Sequence, residues 1–156
     1  MDRPYAELGA QYRFHGRMLA LLVSDLAEAE WRARTLGNSA QWVLAHLLTS
    51  KRGLLRALGE RTTPEAFEAV SGRGGSPTAE LPAGAELLAA WLAANETLAA
   101  RLEALSLEAG ARPAPRTLPD GGTTLIAMAR FLQFHEAYHL GQLGLLRRLA
   151  GKPGAV

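Results

Sequence analysis

Cysteine is absent from the 156 residues of this chain. Disulfide bonds and thiolate metal ligands are therefore excluded, so any bound metal ion must be held by histidine, carboxylate, amide or water ligands. A small extracellular domain stabilised by disulfides is excluded for the same reason.

A long apolar run is also missing. The uncharged segment 37–50 is too short and too polar to span a bilayer. Residues 1–5 lack the apolar centre of a secretory signal peptide. We therefore expect a cytoplasmic protein that does not bind a membrane.

Neither sign of charge prevails, because 17 lysine and arginine residues are balanced by 15 aspartate and glutamate residues. Most of the basic residues are arginines scattered from Arg3 to Arg148, without a basic tract, which argues against nucleic acid as a partner. Hydrophobic residues make up 48% and charged residues 21% of the chain. This composition and length predict a single globular domain over 1–156.

The first amphipathic helix is predicted over about 5–23. His15 lies in its apolar stripe. A core histidine bonded to a neighbour is the simpler interpretation, and a place beside a metal pocket is the alternative. Asp25 as a cap, with Glu28 three residues later, then predicts a short helix through Trp31.

A second long helix is predicted over about 39–58, ending at Gly59. Asn38 and Gln41 have the spacing of a capping box at its start. The first part of this helix carries no charge, so most of its circumference should be buried. His46 lies at the centre of that uncharged part.

The third and fourth long helices complete the pattern. The third is predicted over about 85–107, and Asn95 is the one polar residue on its apolar stripe. Asn95 either makes a hydrogen bond between helices or lines a pocket. The fourth begins after Thr123 as its cap and ends near Leu149.

Two connections rich in glycine and proline separate these helices, at 59–84 and 110–122. The first contains a possible short helix over 64–70, and loops of this length inside a compact domain are often functional. Without an alternating strand pattern or an internal repeat, the sequence predicts an all-α four-helix bundle. Its long loops lie between helices two and three and between helices three and four.

Three histidines are candidate metal ligands. His135 and His139 are four residues apart in the fourth helix and so lie on one face. His46, on a facing helix, could complete a site of three neutral imidazoles that leaves a coordination position open, as catalytic sites do. We predict that their ring nitrogens converge at roughly 2.0–2.2 Å from a zinc-like ion.

The segment from His135 to His139 also matches H-E-x-x-H, the motif of zinc metalloproteases. That mechanism needs a third ligand downstream, and no aspartate, glutamate or histidine follows His139. The longer metzincin pattern also fails, with Gln142 and Leu145 where glycine and histidine belong. A protease is therefore disfavoured.

The chain resembles the DinB/YfiT-like superfamily at two places. One is Trp-Val-Leu-Ala-His at 42–46 with Gly-Asn-Ser before it, and the other is His-Glu-Ala-Tyr-His-Leu-Gly-Gln at 135–142. The resemblance implies a bundle of up-down-down-up topology that is frequently a homodimer. It further implies a divalent metal, most often zinc or nickel, on His46, His135 and His139.

Relatives in that superfamily include thiol S-transferases that use bacillithiol or mycothiol, and a mycothiol-dependent maleylpyruvate isomerase. The resemblance thus implies a metal-dependent enzyme that transfers a low-molecular-weight thiol to a small electrophile, or hydrolyses a small molecule. The alternative is a non-catalytic, metal-stabilised bundle that binds a ligand or partner.

Four residues beside the two late histidines also have candidate roles. Glu136 is about 100° of helix away from the ligand face, so we expect solvent exposure or a hydrogen bond at the edge of the site. A base acting through metal-bound water is the alternative for this residue. Gln142 orients a ligand or bonds across the bundle, and Tyr138 is a weaker candidate that we expect to pack. Gly141, inside the helix, predicts a close approach between helices.

Overall fold

The computed structural model describes residues 3–155, and these residues form seven helices and no β-strand. The prediction of an all-α fold is confirmed. The four long helices are α1 (Ala6–Val23), α3 (Ala40–Ala57), α5 (Gly84–Ala104) and α7 (Leu125–Leu149). The short ones are α2 (Glu28–Arg32), α4 (Ala66–Ser71) and α6 (Leu107–Gly110).

The N-terminus of α3 differs by one residue from the capping-box prediction. Ser39, rather than Asn38, is the cap, and its Oγ accepts a hydrogen bond from the Trp42 N–H at 3.0 Å. The side chain of Gln41 bonds instead to the carbonyl of Pro82 at 2.6 Å. The start of α3 is thereby tied to the segment that leads into α5.

Two other predicted caps are wrong. Thr124, rather than Thr123, caps α7. Asp25 does not cap α2, because its carboxylate pairs with the guanidinium of Arg147 at 3.1 Å and α2 begins only at Glu28. The side chain that local spacing predicted as a helix cap thus forms a long-range ion pair instead.

The predicted third helix, 85–107, is shorter at its C-terminus than expected. It ends at Ala104, because Ser106 starts α6 by accepting a hydrogen bond from the Ala109 N–H at 3.1 Å. The connection between α5 and α7 therefore contains a short helix that the apolar periodicity did not predict.

The four long helices form a closed ring in the order α1, α5, α3, α7, each packing against two others. Two apolar clusters fill the interior. One contains Trp91 and Leu44, and the other contains Tyr12 and Leu98. No helix formed by residues 3–155 combines the length and apolarity that a bilayer crossing requires.

Close helix approach occurs at glycines of α1. A Cβ placed on Gly16 would lie 2.8 Å from Nδ2 of Asn95, and one on Gly9 would lie 2.8 Å from the carbonyl oxygen of Ala99. The prediction that Gly141 allows close packing is wrong, since a Cβ there meets no atom within 4 Å. Gly141 lies on the exposed side of α7.

Candidate metal centre

His46 is held in one orientation from both sides. Its Nδ1–H donates a hydrogen bond to the carbonyl oxygen of Ser71, at the end of α4, at 2.8 Å. The Trp42 ring, one turn earlier on α3, stacks on the imidazole with 5.2 Å between ring centroids and 7° between ring planes. Its Nε2 is therefore directed toward α7.

His139 is oriented from within α7. Its Nδ1–H donates a hydrogen bond to Oε1 of Gln142 at 2.6 Å. The side-chain amide of Gln142 in turn donates to the Tyr138 hydroxyl at 3.3 Å. Gln142 thus holds the ring of His139 in place, and its expected role in orienting a metal ligand stays a prediction.

The structure brings His46, His135 and His139 together through one atom each. Nε2 of His135 lies 3.0 Å from Nε2 of His46 and 3.1 Å from Nε2 of His139. All three ligand atoms lie within 4.8 Å of one another, so the group could hold a metal ion. Two imidazole nitrogens on one tetrahedral zinc ion are about 3.3 Å apart, which these distances approach.

Proton placement in this cluster favours a cation. A neutral imidazole carries one ring proton, and in His46 and His139 that proton is on Nδ1, so both Nε2 atoms present lone pairs. His135 can donate its single proton to only one of them. At least one lone pair therefore faces another nitrogen without a proton between them, and a shared metal ion would satisfy all three.

The three imidazoles are kept neutral by their surroundings. Burial, together with the neighbouring His139 and His46, lowers the pKa of His135 to about 4. Burial also lowers the pKa values of His46 and His139. Neutral imidazole is the form that binds a metal ion, so these residues are in the binding form at neutral pH.

Glu136 is buried rather than exposed, so the expectation of solvent exposure is wrong. Only 4% of the residue is accessible. One carboxylate oxygen forms an ion pair with Lys51 and the other accepts a hydrogen bond from the Nδ1–H of His15 at 3.1 Å. It does not line the cavity beside the three histidines.

His15 and Asn95 take the simpler of their two expected roles. His15 is a core histidine, bonded to Glu136 and to the side chain of Gln133. Asn95 is 3% accessible, donates to the Tyr12 carbonyl at 2.7 Å and accepts from Lys51 at 2.6 Å. Both residues connect helices and lie outside the three-histidine group.

Tyr138 does not pack in the core. Its side chain is 58% exposed and contacts the group only through the hydrogen bond from Gln142 and an edge-on approach to the ring of His139. The expectation that this residue packs is therefore not met within the core of the chain.

A cavity of about 560 Å³ adjoins the three-histidine group. His46 and His135 form part of its wall. The remaining wall residues come from α3, from α7 and from both long connections, namely Thr49, Ser50, Gly53, Gly72, Arg73, Pro115, Arg116, Pro119, Met128, Phe131 and Leu132. The arrangement can therefore place a small molecule directly against two of the three imidazoles.

Sequence reasoning missed three contributors to this site. The carbonyl of Ser71 has no side-chain signature, so its contact with His46 could not be predicted. Arg73 and Arg116 were treated as scattered surface charges. The one available signal was that both lie in the breaker-rich connections, of which only the first, 59–84, was expected to be functional, and only as a segment.

Residues 11–143 match the family described as the DinB superfamily. No curated protein matches this chain. The family match covers α3, α5 and most of α1 and α7, including the three histidines. The resemblance inferred from the two histidine motifs is confirmed, and the chain belongs to the DinB superfamily.

Proposed function

We propose that His46, His135 and His139 hold one divalent metal ion, zinc or nickel, and that the protein is a metal-dependent enzyme. Its reaction is transfer of a low-molecular-weight thiol to a small electrophilic molecule, or hydrolysis of a small molecule. The observation that carries this proposal is the convergence of three Nε2 atoms beside an open cavity.

A divalent ion on three imidazoles supplies an open coordination position and lowers the pKa of a bound thiol or water, which provides a nucleophile at neutral pH. The chain supports this by fixing two tautomers. The Ser71 carbonyl holds the Nδ1 proton of His46, and Gln142 holds that of His139. Such outer hydrogen bonds orient the ligands and raise their basicity.

Glu136 is given no acid–base role in this proposal. Both of its carboxylate oxygens are engaged inside the bundle by Lys51 and His15. No carboxylate belongs to the cavity wall formed by the described residues. We therefore propose that the proton of the substrate thiol or water leaves to solvent through the cavity mouth.

The up-down-down-up topology and the single domain over 1–156 are part of the proposal. The topology is supported by two contacts at different levels along each of two helix pairs, α1 with α7 and α3 with α5. These contacts are Tyr12 with Ala129, Leu22 with Arg147, Gln41 with Pro82, and Lys51 with Asn95. Each set fits two helices that run in the same direction.

A homodimer through the α1 and α7 side is also proposed. It is supported by large apolar side chains exposed on these two neighbouring helices, Phe14, Leu21, Phe134, Tyr138 and Leu145. Sedimentation equilibrium of the purified protein tests this. A monomer across the micromolar range would contradict it.

The cytoplasmic location stays a prediction.

Elemental analysis of protein purified without a histidine tag tests the metal proposal. We expect about one zinc or nickel per chain. The loaded protein is then assayed with a panel of low-molecular-weight thiols plus electrophiles and with hydrolysable esters and amides. Metal-dependent turnover supports the enzyme, whereas stoichiometric metal without turnover of any substrate favours the non-catalytic bundle.

A further inference from the structure

The two long connections meet at one place, the cavity beside His46 and His135. The connection between α4 and α5 contributes Arg73 to its wall, and the connection between α6 and α7 contributes Arg116. Residues far apart in the sequence thus place two arginines on the wall of the same cavity.

The formal charge of the cavity wall is entirely positive. Arg73 and Arg116 are its only charged residues among those that the structure describes, and no lining residue is acidic. The nearby Asp120 does not line the cavity, and its carboxylate accepts a hydrogen bond from the Gly122 N–H at 3.0 Å. An anion entering the cavity would therefore meet no like charge on the wall.

Two arginines of α3 near the first connection, Arg52 and Arg56, are already paired, which distinguishes them from Arg73 and Arg116. Arg52 and Arg56 each lie 2.7 Å from a carboxylate oxygen of Glu68. Within residues 3–155, Arg73 and Arg116 form no ion pair with a carboxylate, and both are exposed. Their donors remain available to a ligand.

Another part of the wall is apolar. Met128, Phe131 and Leu132 of α7 line it, and the Phe131 ring stacks on the imidazole of His135 at 6.5 Å between centroids. Pro115 and Pro119 add apolar surface beside Arg116. A volume of about 560 Å³ is ordinary for small-molecule sites, which combine apolar walls with a few orienting polar groups.

We propose that this cavity binds an amphipathic small molecule through its anionic oxygen group, a carboxylate or a phosphate-type group, which pairs with Arg73 and Arg116. The apolar part of the molecule packs on Met128, Phe131 and Leu132. The bound molecule then lies against His46 and His135. This inference rests on the proposed function for what happens there and names the chemical class of its substrate.

The physical reason is the match between guanidinium and oxyanion. The planar fork of arginine donates two parallel hydrogen bonds to a carboxylate or phosphate group. Because both arginines are exposed, solvent screens each pair and the contribution of one arginine is modest. Two arginines from separate connections acting together provide the selectivity for anions.

Binding of three matched probes tests the inference. Phenylacetate carries a carboxylate, phenylphosphonate a phosphate-type group, and phenylacetamide is a neutral analogue of phenylacetate. Affinities are measured by calorimetry for metal-free and zinc-loaded protein. The variants are Arg73→Gln, Arg116→Gln and their combination, and Arg61→Gln is the matched control. Arg61 is exposed in the same long connection and does not line the cavity.

We expect wild type to prefer one or both anions over phenylacetamide, with and without zinc. Each single variant should weaken anion binding about three- to tenfold, and the double variant more, while Arg61→Gln and phenylacetamide binding stay unchanged. The stronger of the two anions identifies the group. Circular dichroism should be the same for all variants, since the substituted side chains are exposed.

Equal affinity for phenylacetate and phenylacetamide, or equal losses in Arg61→Gln and Arg73→Gln, would overturn the inference. Anion binding that occurs only with zinc and is insensitive to both arginines would overturn it too, because the anion would then be a ligand of the ion. Normal metal content and turnover without anion preference would leave the proposed function standing. Anion preference without metal binding would support this inference and contradict the proposed function.

Discussion

Lys51 Nζ donates a hydrogen bond to Oδ1 of Asn95 at 2.6 Å, at a point where the lysine side chain has no solvent exposure. The same ammonium pairs with the carboxylate of Glu136 and lies 4.6 and 4.1 Å from the ring centroids of Tyr12 and Trp91. Lys51 on α3, Asn95 on α5 and Glu136 on α7 are thereby joined at the centre of the bundle. Glu136 directly follows His135 in the sequence. Its pair with Lys51 therefore fixes the rotation of α7 relative to α3 beside the three histidines.

Removing the charge of Lys51 should destabilise the folded protein. Lys51→Met leaves Glu136 with an uncompensated buried charge, so we expect a loss of about 3–5 kcal/mol in the free energy of unfolding. Urea unfolding followed by circular dichroism measures it. The double variant Lys51→Met with Glu136→Gln removes both charges and should be more stable than Lys51→Met alone. A double variant that is less stable than the single one would contradict a charge-pair role.

Each of the three converging histidines should be necessary for metal binding. Replacing His46, His135 or His139 by alanine should weaken metal affinity more than about a hundredfold, because two imidazoles do not complete a stable site. His15→Ala is the control, since His15 bonds to Glu136 instead. Chelator titration with elemental analysis measures the affinities. Loss of metal in His15→Ala with retention in His46→Ala would reassign the third ligand.

The metal-free protein should remain helical. Two apolar clusters contributed by all four long helices fill the interior, and their burial does not depend on an ion. Circular dichroism with and without chelator should therefore give similar helix content, in contrast with small zinc modules that unfold without metal. Collapse of the helical signal on chelation would show that the ion is needed for folding.

Gln142 should affect metal affinity without being a ligand. Gln142→Ala removes the acceptor for the Nδ1–H of His139, and we expect affinity to fall about 10- to 100-fold. Gln133→Ala on the same helix is the matched control, because Gln133 contacts His15. Equal metal affinities of the two variants would mean that the hydrogen bond to His139 has no orienting effect.

Acidification should act through α4, whose last residue, Ser71, holds His46. Burial opposes ionisation of Glu68, but its hydrogen bonds and the charges of Arg52 and Arg56 prevail and place its pKa below the ordinary 4.5. Between that lowered pKa and 4.5, the unfolded chain binds more protons at Glu68 than the folded chain does. The contribution of Glu68 to the free energy of unfolding is therefore complete above about pH 4.5. It is lost as the pH falls through the lowered pKa.

We therefore expect a shallower acid-induced loss of unfolding free energy in Glu68→Gln than in wild type. Thermal unfolding across this pH range measures the slope. Glu65→Gln is the control, because Glu65 is largely exposed and pairs only with Arg52. Parallel slopes for wild type and Glu68→Gln would contradict the effect.

Two glycine-to-alanine substitutions should change the free energy of unfolding in opposite directions. In Gly16→Ala the new Cβ would lie 2.8 Å from Nδ2 of Asn95, so we expect a loss of about 1–3 kcal/mol. In Gly141→Ala the Cβ meets nothing within 4 Å, and helix propensity should stabilise the protein by up to about 1 kcal/mol. Denaturant unfolding of both variants compares them, and a destabilised Gly141→Ala would reveal a contact there.

Features that depend on near neighbours in the chain were determined by the sequence alone. The four long helices follow from apolar residues at helical spacing, and the shared face of His135 and His139 follows from a separation of four residues. The hydrogen bond between His139 and Gln142 spans three residues and was among the roles expected for Gln142. These relations depend on the helix itself and not on what packs against it.

Tertiary packing decided the features that join distant segments. From its angle on α7, Glu136 was expected to be exposed or to form a hydrogen bond at the edge of the site. Instead it is buried and its carboxylate pairs with Lys51 on α3, since a buried ammonium needs a partner. The contact of His46 with the Ser71 carbonyl, and the presence of Arg73 and Arg116 on one cavity wall, depend on how the two long connections fold against the helices. Loops are positioned by non-local contacts that no short-range pattern encodes, and here those contacts shape the cavity beside the three histidines.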